Sequence, residues 1–378
     1  MTDETVRAGV DELAHHETLE FLRGRRCGLV TNHTGIARDG RATLEVVESL
    51  GVQITALFSP EHGFHGVCEG KIESTVEFNR PVHSLYGETR RPTPEMLADL
   101  DALIFDIFDV GARFYTYSST MALCLEECAR AGIPLVVLDR PNPCGGVRIE
   151  GPSIDEDVRS FIGHVRLPIV HGLTMGEIAG LHRADENLVC ALHVVRAAGW
   201  QRPQLWPSVN GSWVAPSPNL PHFTGAEWYP GACLLEFCDV SVGRGTDTPF
   251  QIVGAPWIDA ERWKSALDDF APLLPDYSWE RRDFIPTRAT HEGVLCHGLH
   301  FQCDASIKNI VSLGMAMLAS LRTSHPEFTE QQMAKSMSLL GSRAALNFLQ
   351  RGELTEAIAL AHRYAEQFRR KREPFLLY

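Results

Sequence analysis

A glutamate sits between a proline and a histidine in Ser59-Pro60-Glu61-His62-Gly63, and Phe64-His65-Gly66 continues a glycine-punctuated loop. No capping partner in sequence explains an acid at that place, so Glu61 is read as a catalytic carboxylate. His62 is divided between a site role and a structural one, and His65 is read as structural. A second cluster runs from Asp106 through Asp109 and Arg113 to Tyr115 and Tyr117, just past an apolar run. A carboxylate there must be paired or face a cavity, because burying it bare is costly. Two readings stay open: an internal Asp–Arg113 ion pair, or acids aimed at a ligand, with the tyrosines stacking on that ligand or roofing the core. His171 precedes Thr174-Met175-Gly176-Glu177 and is free to face the same cleft, while Glu177 has capping-box spacing.

These residues need strands to bring them together. Apolar runs at Cys27 to Thr31, Ile54 to Phe58, Ala102 to Ile107 and Leu135 to Leu138 alternate with helical patterns at Thr43 to Leu50, Pro94 to Asp99, Ser119 to Ala131 and Met175 to Arg183. That order predicts a parallel, Rossmann-like sheet flanked by helices. Ligands bind beyond the carboxyl ends of such strands. Asn32 and His33 follow the first run, Glu61 and His62 the second, and Asp106 and Arg113 the third.

Trp200 to Pro230 is rich in proline and tryptophan, and prolines disfavour helix interiors and central strands. The segment is expected to be an ordered passage between two domains, 1–228 and 229–378. The second is expected to be a smaller α+β unit. Its strands are expected near Cys233 to Val242 and Leu295 to Gln302. Its helices are expected near Ala260 to Phe270, Ile307 to Arg322, Gln331 to Leu339, Ala344 to Arg351 and Thr355 to Arg370.

Composition narrows the function. With 48 acidic against 35 basic residues, the net charge of −13 disfavours nucleic acid. No stretch approaches the length of a membrane span, and acids occupy the start, where an export signal needs bases. Reduced thiols in the cytoplasm are therefore expected for the ten cysteines. No ligand spacing points to zinc, and no cofactor is expected. Gly243-Arg244-Gly245-Thr246 lacks the ending of a phosphate loop, and no Gly-x-Gly-x-x-Gly follows the first strand.

The ordered runs Leu29-Val30-Thr31-Asn32-His33-Thr34-Gly35, Phe58-Ser59-Pro60-Glu61-His62-Gly63 and Asp106 to Tyr117 are similar to those of the exo-β-N-acetylmuramidases of the NamZ type. So are Leu138-Asp139-Arg140-Pro141-Asn142-Pro143, His171-Gly172-Leu173-Thr174, Pro216-Ser217-Pro218-Asn219-Leu220-Pro221, Tyr229-Pro230-Gly231 and Val242-Gly243-Arg244-Gly245-Thr246. The resemblance implies release of terminal N-acetylmuramic acid (MurNAc) from the non-reducing end of peptidoglycan glycans, with a small glycan of the MurNAc-GlcNAc type as partner.

It makes Glu61 the expected catalytic residue, and the chemistry of glycoside hydrolysis suggests Glu61 as general acid with Asp106 as its carboxylate partner, from successive strand ends, and His171 beside them. Arg113 or Arg244 would hold the lactyl carboxylate. Tyr115, Tyr117 and Tyr229 would pack on the pyranose, and Asn32, His171 and Asn219 would bond its polar groups. His33, His62 and Thr246 complete the expected binding set. Phe108 stands where the family usually carries glutamine, which bears on sugar specificity. Two other readings compete: a metal-dependent hydrolase using His33, His62, His171 and Asp106, and a sugar-binding protein without turnover.

Overall fold

The computed structural model describes residues 5–68, 70–209, 212–303 and 306–378; Met1 to Glu4, part of the start read against export, lie outside them. The first half carries β1 (Arg26–Thr31), β2 (Gln53–Ser59), β3 (Thr75–Glu77), β4 (Arg80–Ser84), β5 (Ala102–Asp106), β6 (Leu135–Leu138), β7 (Glu150–Ser153), β8 (Pro168–Val170) and β9 (Leu192–Val195). Seven of them form one sheet in the order β3-β4-β2-β1-β5-β6-β9, and β7 pairs with β8 in a ribbon. All neighbours in the large sheet run parallel except β3 with β4. The chain starts in mid-sheet, winds outward through β2, then returns to the other side of β1 through β5. This is the doubly wound topology expected from the alternating runs. Leu29, Val30, Leu103, Ile104, Val136 and Val137 are fully enclosed, as central parallel strands covered on both faces require.

Helix starts follow local chemistry. Thr93 caps Pro94–Leu97 by accepting from the Met96 amide, and Thr174 with Glu177 closes a reciprocal capping box on Met175–Asp185.

The second half forms an antiparallel sheet in the order β10-β12-β11, from β10 (Ile252–Ala255), β11 (Tyr277–Phe284) and β12 (Cys296–Cys303). Helices Ala260–Asp268 and Ile310–Ser324 belong to this C-terminal domain. The chain is thus a two-domain α/β protein. Among the described residues no helix is long and apolar enough to cross a membrane.

Several expectations are corrected. Cys233 to Val242 is not a strand: Cys233–Leu235 continues the helix Phe223–Ala232 as a 3₁₀ turn, because a short apolar run serves either element. That helix crosses the expected boundary near Tyr229 and contains Pro230. Gln331 to Leu339 breaks into Glu330–Ala334 and Met337–Leu340. At the break the Ser336 hydroxyl bonds back to Met333 O, competing with the helical ladder. Strand β11 went unread because Glu280-Arg281-Arg282-Asp283 mask its buried Tyr277, Trp279 and Phe284.

Two buried guanidiniums bind the domains. Arg113 donates to the carbonyls of Pro152 and Leu167 in the first domain and of Leu339 in the second. Burial pulls its pKa down to about 9, with Asp155 as the compensating charge. Arg372, from the long helix Leu354–Arg372, reaches the carbonyls of Gly146, His171 and Gly172. The expected Asp–Arg113 ion pair is therefore replaced by a cage of carbonyls, which a planar fork of donors suits.

Two outcomes follow from these buried groups. Arg113→Met strands three carbonyls and should lower unfolding free energy by about 3 kcal/mol or more, measurable by urea denaturation. Asp139, just past β6, is raised from 3.8 to about 6 by burial, against donors from Thr174, Gly176 and Tyr378. Its folded form holds the proton more tightly than the unfolded chain. The stability it contributes is complete below about pH 4 and lost as pH rises through about 6, roughly 2 to 3 kcal/mol. Asp139→Asn should flatten that part of the stability-versus-pH curve.

Candidate active site

Glu61 leaves β2 through a proline, which cannot continue the ladder, and the chain reverses at once. His62 has φ 70° and Gly63 φ 76°. The turn is tied by Gly63 N to Pro60 O at 3.0 Å and by Cys68 N to His62 O at 3.1 Å. His62 Nδ1 also lies 3.0 Å from Cys68 O. This fixes the Glu61 side chain over the start of the helix Tyr117–Ala131, where Thr116, its N-cap, donates its hydroxyl to Glu61 Oε2 at 2.6 Å. Tyr86, beyond β4, is pushed up in pKa by burial and then by its hydrogen bond to Glu61. Among the described residues, two neutral hydroxyls and no cation thus bond this carboxylate.

The carboxylate opens into a cleft of about 340 Å³ lined from both domains. Tyr115 and Tyr229 form an aromatic wall, edge to face with centroids 5.9 Å apart, and burial raises the pKa of both phenols strongly. Phe250 backs Tyr229 at 5.0 Å. His62, Asn219 and Arg244 also line the cleft, as do Arg288 and Glu236. Arg244 is paired with Glu236 at 2.5 Å and stands 5.2 Å from the Phe250 ring centre. Burial works against the Arg244 charge, but Glu236 more than offsets it and the guanidinium pKa rises.

Other expected site residues lie outside this cleft. Asp106 is fully buried at the end of β5, where its carboxylate is held by both Nε and Nη2 of Arg140 and by the Thr43 hydroxyl. Its lone pairs are taken, so the expected pairing with Glu61 is corrected. His171 is also fully buried. Its Nδ1 accepts from Leu173 N, and its Nε2 faces Asp109 at 3.7 Å. Arg113 is caged as described and is not available to a lactyl group.

Asn32 is spent beneath the floor, donating to Tyr117 Oη at 2.9 Å and accepting from the Thr34 amide and hydroxyl. Tyr117 in turn donates to Pro216 O at 3.0 Å, so both act as scaffold for the Glu61 loop. His33 Nε2 lies 2.7 Å from Ala215 O, and burial lowers its pKa. Any side chain at Gly66 would collide with the His33 ring, its Cβ meeting Cε1 at 1.9 Å. Thr246 bonds Gly243 O and shapes the Arg244 loop. Phe108 packs between Trp206 and Trp213, beside a different pocket. The metal reading loses its geometry: among the described residues His33, His62, His171 and Asp106 supply no group of three donor atoms that converge on one point.

Sequence reading missed Thr116, Tyr86 and Glu236. Thr116 stood inside a quoted run, and an aromatic just past a strand end was the available signal for Tyr86. Glu236 was hidden in a segment misread as a strand.

A doubly wound domain and an antiparallel partner domain define a two-domain α/β protein whose cleft presents a carboxyl from each side. The family model described as exo-β-N-acetylmuramidase NamZ, N-terminal, matches residues 27–224, and its C-terminal counterpart matches 227–378. The chain is 35% identical over 381 residues to the peptidoglycan β-N-acetylmuramidase NamZ of Bacillus subtilis (strain 168), covering 99% of this chain and 91% of that one. Two crystal structures of DUF1343 family proteins from Bacteroides fragilis NCTC 9343 superimpose with TM-scores of 0.89 and 0.80. They are 30% and 27% identical to this chain, each pairing covering 99% of both chains. The chain belongs to the exo-β-N-acetylmuramidase NamZ family.

Thr116→Val removes one hydroxyl from the Glu61 carboxyl and keeps the shape. It should lower kcat about tenfold or more, with the folded-state circular dichroism unchanged.

Proposed function

We propose that this chain removes terminal MurNAc from the non-reducing end of peptidoglycan-derived glycans, that a MurNAc-GlcNAc disaccharide is a sufficient substrate, and that Glu61 is the general acid. Family membership supports the activity. The observation that carries the residue assignment is the contrast between the two acids of one cleft. Glu61 is held by neutral hydroxyls, whereas Glu236 is held by a guanidinium.

Glycoside hydrolysis needs one carboxylic acid to protonate the departing oxygen and one carboxylate for the anomeric carbon or its water. The Thr116 hydroxyl holds the Glu61 carboxyl over the helix start and facing the cleft, in reach of a departing oxygen. The Arg244 guanidinium holds Glu236 on the opposite wall, where a carboxylate suits the positive charge that grows on the sugar ring. Glu236 takes the place that Asp106 cannot fill. Tyr115 and Tyr229 offer rings to the apolar face of the pyranose. The positive charges of Arg244 and Arg288 match the lactyl carboxylate, and Asn219 offers an amide to the acetamido group. A volume of about 340 Å³ lies at the low end of ligand sites. It suits one sugar inside with the remaining glycan outside, which is exo action. The buried cysteines Cys27, Cys124, Cys128, Cys144, Cys233, Cys238 and Cys296 are thiols, which fits a reducing compartment and the recycling of wall fragments in the cytoplasm.

Substrates with different leaving groups test the roles. Glu61→Gln should cost about 10²- to 10⁴-fold in kcat on the disaccharide. The loss should be much smaller on the β-nitrophenyl glycoside of MurNAc, because nitrophenolate departs without a proton. Glu236→Gln should impair both substrates. Equal loss on both with Glu61→Gln would remove the acid role, and an active Glu236→Gln would remove the second assignment. The anomer released first, read by NMR, reports whether the second carboxylate acts on carbon or through water.

A further inference from the structure

We infer that Glu126, His164 and His182 form a binding site for one divalent metal ion of the zinc class, apart from the sugar cleft. The three come from separate parts of the first domain: Glu126 from the helix Tyr117–Ala131, His182 from the helix Met175–Asp185, and His164 from the connection before β8. Their donor atoms converge within 4.8 Å of one another. His164 Nε2 lies 2.6 Å and His182 Nε2 3.1 Å from the same oxygen, Glu126 Oε1. Two imidazoles and one carboxylate oxygen are a zinc-type donor set that leaves a fourth position open.

Without an ion, the rings hydrogen-bond the carboxylate through Nε2. With an ion, each ring would carry a proton on Nδ1 and turn its Nε2 lone pair inward. Tetrahedral ligands around zinc stand roughly 3.3 Å apart. The two His–Glu spacings need to open by less than an ångström, and the two imidazole nitrogens already lie within 4.8 Å of each other.

The surroundings fit an ion that keeps one exchangeable ligand. Glu126 Oε2 faces Arg91 at 3.3 Å and Arg130 at 3.6 Å, so the carboxylate is oriented from behind. The cluster borders an open depression of about 570 Å³, giving an ion and a fourth ligand a way in. Arg91, Arg130 and Arg159 line it and favour water or a small anion as that ligand. The same arginines weaken affinity for a bare dication. The site also ties two helices to the segment that carries Phe161, which packs on Tyr86 at 5.9 Å, and Ile162, which lines the sugar cleft. It therefore acts as a brace rather than a catalyst.

The full chain, stripped with a chelator and titrated with zinc by calorimetry, should take up a single ion at this site and gain in Tm. Cobalt in its place should give the visible absorption of a tetrahedral site. His164→Gln, whose side chain is 19% exposed and tolerates replacement, should weaken zinc binding by more than about tenfold. Glu126→Gln should do the same, while His65→Ala should leave it unchanged. Muramidase turnover should persist in the stripped protein, which separates this site from the hydrolytic reading. Zinc affinity equal in wild type and His164→Gln, or a cobalt spectrum of octahedral type, would overturn the assignment.

Discussion

The guanidinium of Arg113 is the point on which both domains and the cleft converge. It lies fully buried, bonded to two carbonyls of the first domain and one of the second. A buried cation without an adjacent carboxylate is tolerable only when dipoles take the place of water. The carbonyls supply that, and only with both domains present. Its neighbours Phe114 and Tyr115 line the sugar cleft from one side, as Leu339 does from the other. Gly341 is constrained by the same group: at φ 82° its added Cβ would stand 2.5 Å from Arg113 Nη2. The cleft's width is thus set by a residue that never touches its contents.

Doubly wound sheets usually bind ligands where the strand order reverses. Here the reversal lies between β1 and β5, and Asp106, Arg140 and Thr43 fill it with their own hydrogen bonds. Phe108, Trp206 and Trp213 pack nearby as an aromatic cluster. Glu61, the carboxyl proposed as general acid, instead lies one strand over, past β2, where it lines a cleft shared with the second domain. The fold supplies the rim, and the second domain selects which part of it is used.

Local signals were readable where a residue's surroundings are adjacent in sequence. Glu61 was legible as a cleft residue because the proline and glycine around it offer no capping partner in sequence, and Thr174 with Glu177 because a capping box closes within four residues. Asp106 was misassigned because its partner, Arg140, arrives 34 residues later, and an acid past an apolar strand looks the same whether paired or open. Arg113 was misread for a related reason: carbonyl acceptors leave no mark in a sequence. Glu236 and β11 escaped because a short apolar run fits helix or strand and because charges on an edge strand hide its buried face. The resemblance to a known family pointed to the glutamate but could not say which polar neighbours support the floor and which line the cleft.

The long C-terminal helix changes what the two domains mean for synthesis. Arg372 completes the carbonyl cluster of Gly146, His171 and Gly172, and Tyr378 donates to Asp139 from 239 positions away. A first domain emerging from the ribosome carries those acceptors without their donors. Its sheet can collapse early, yet its polar interior stays incomplete until the last helix has been made and has docked. By architecture the chain is two domains, yet the polar interior of the first is closed by donors that the second supplies.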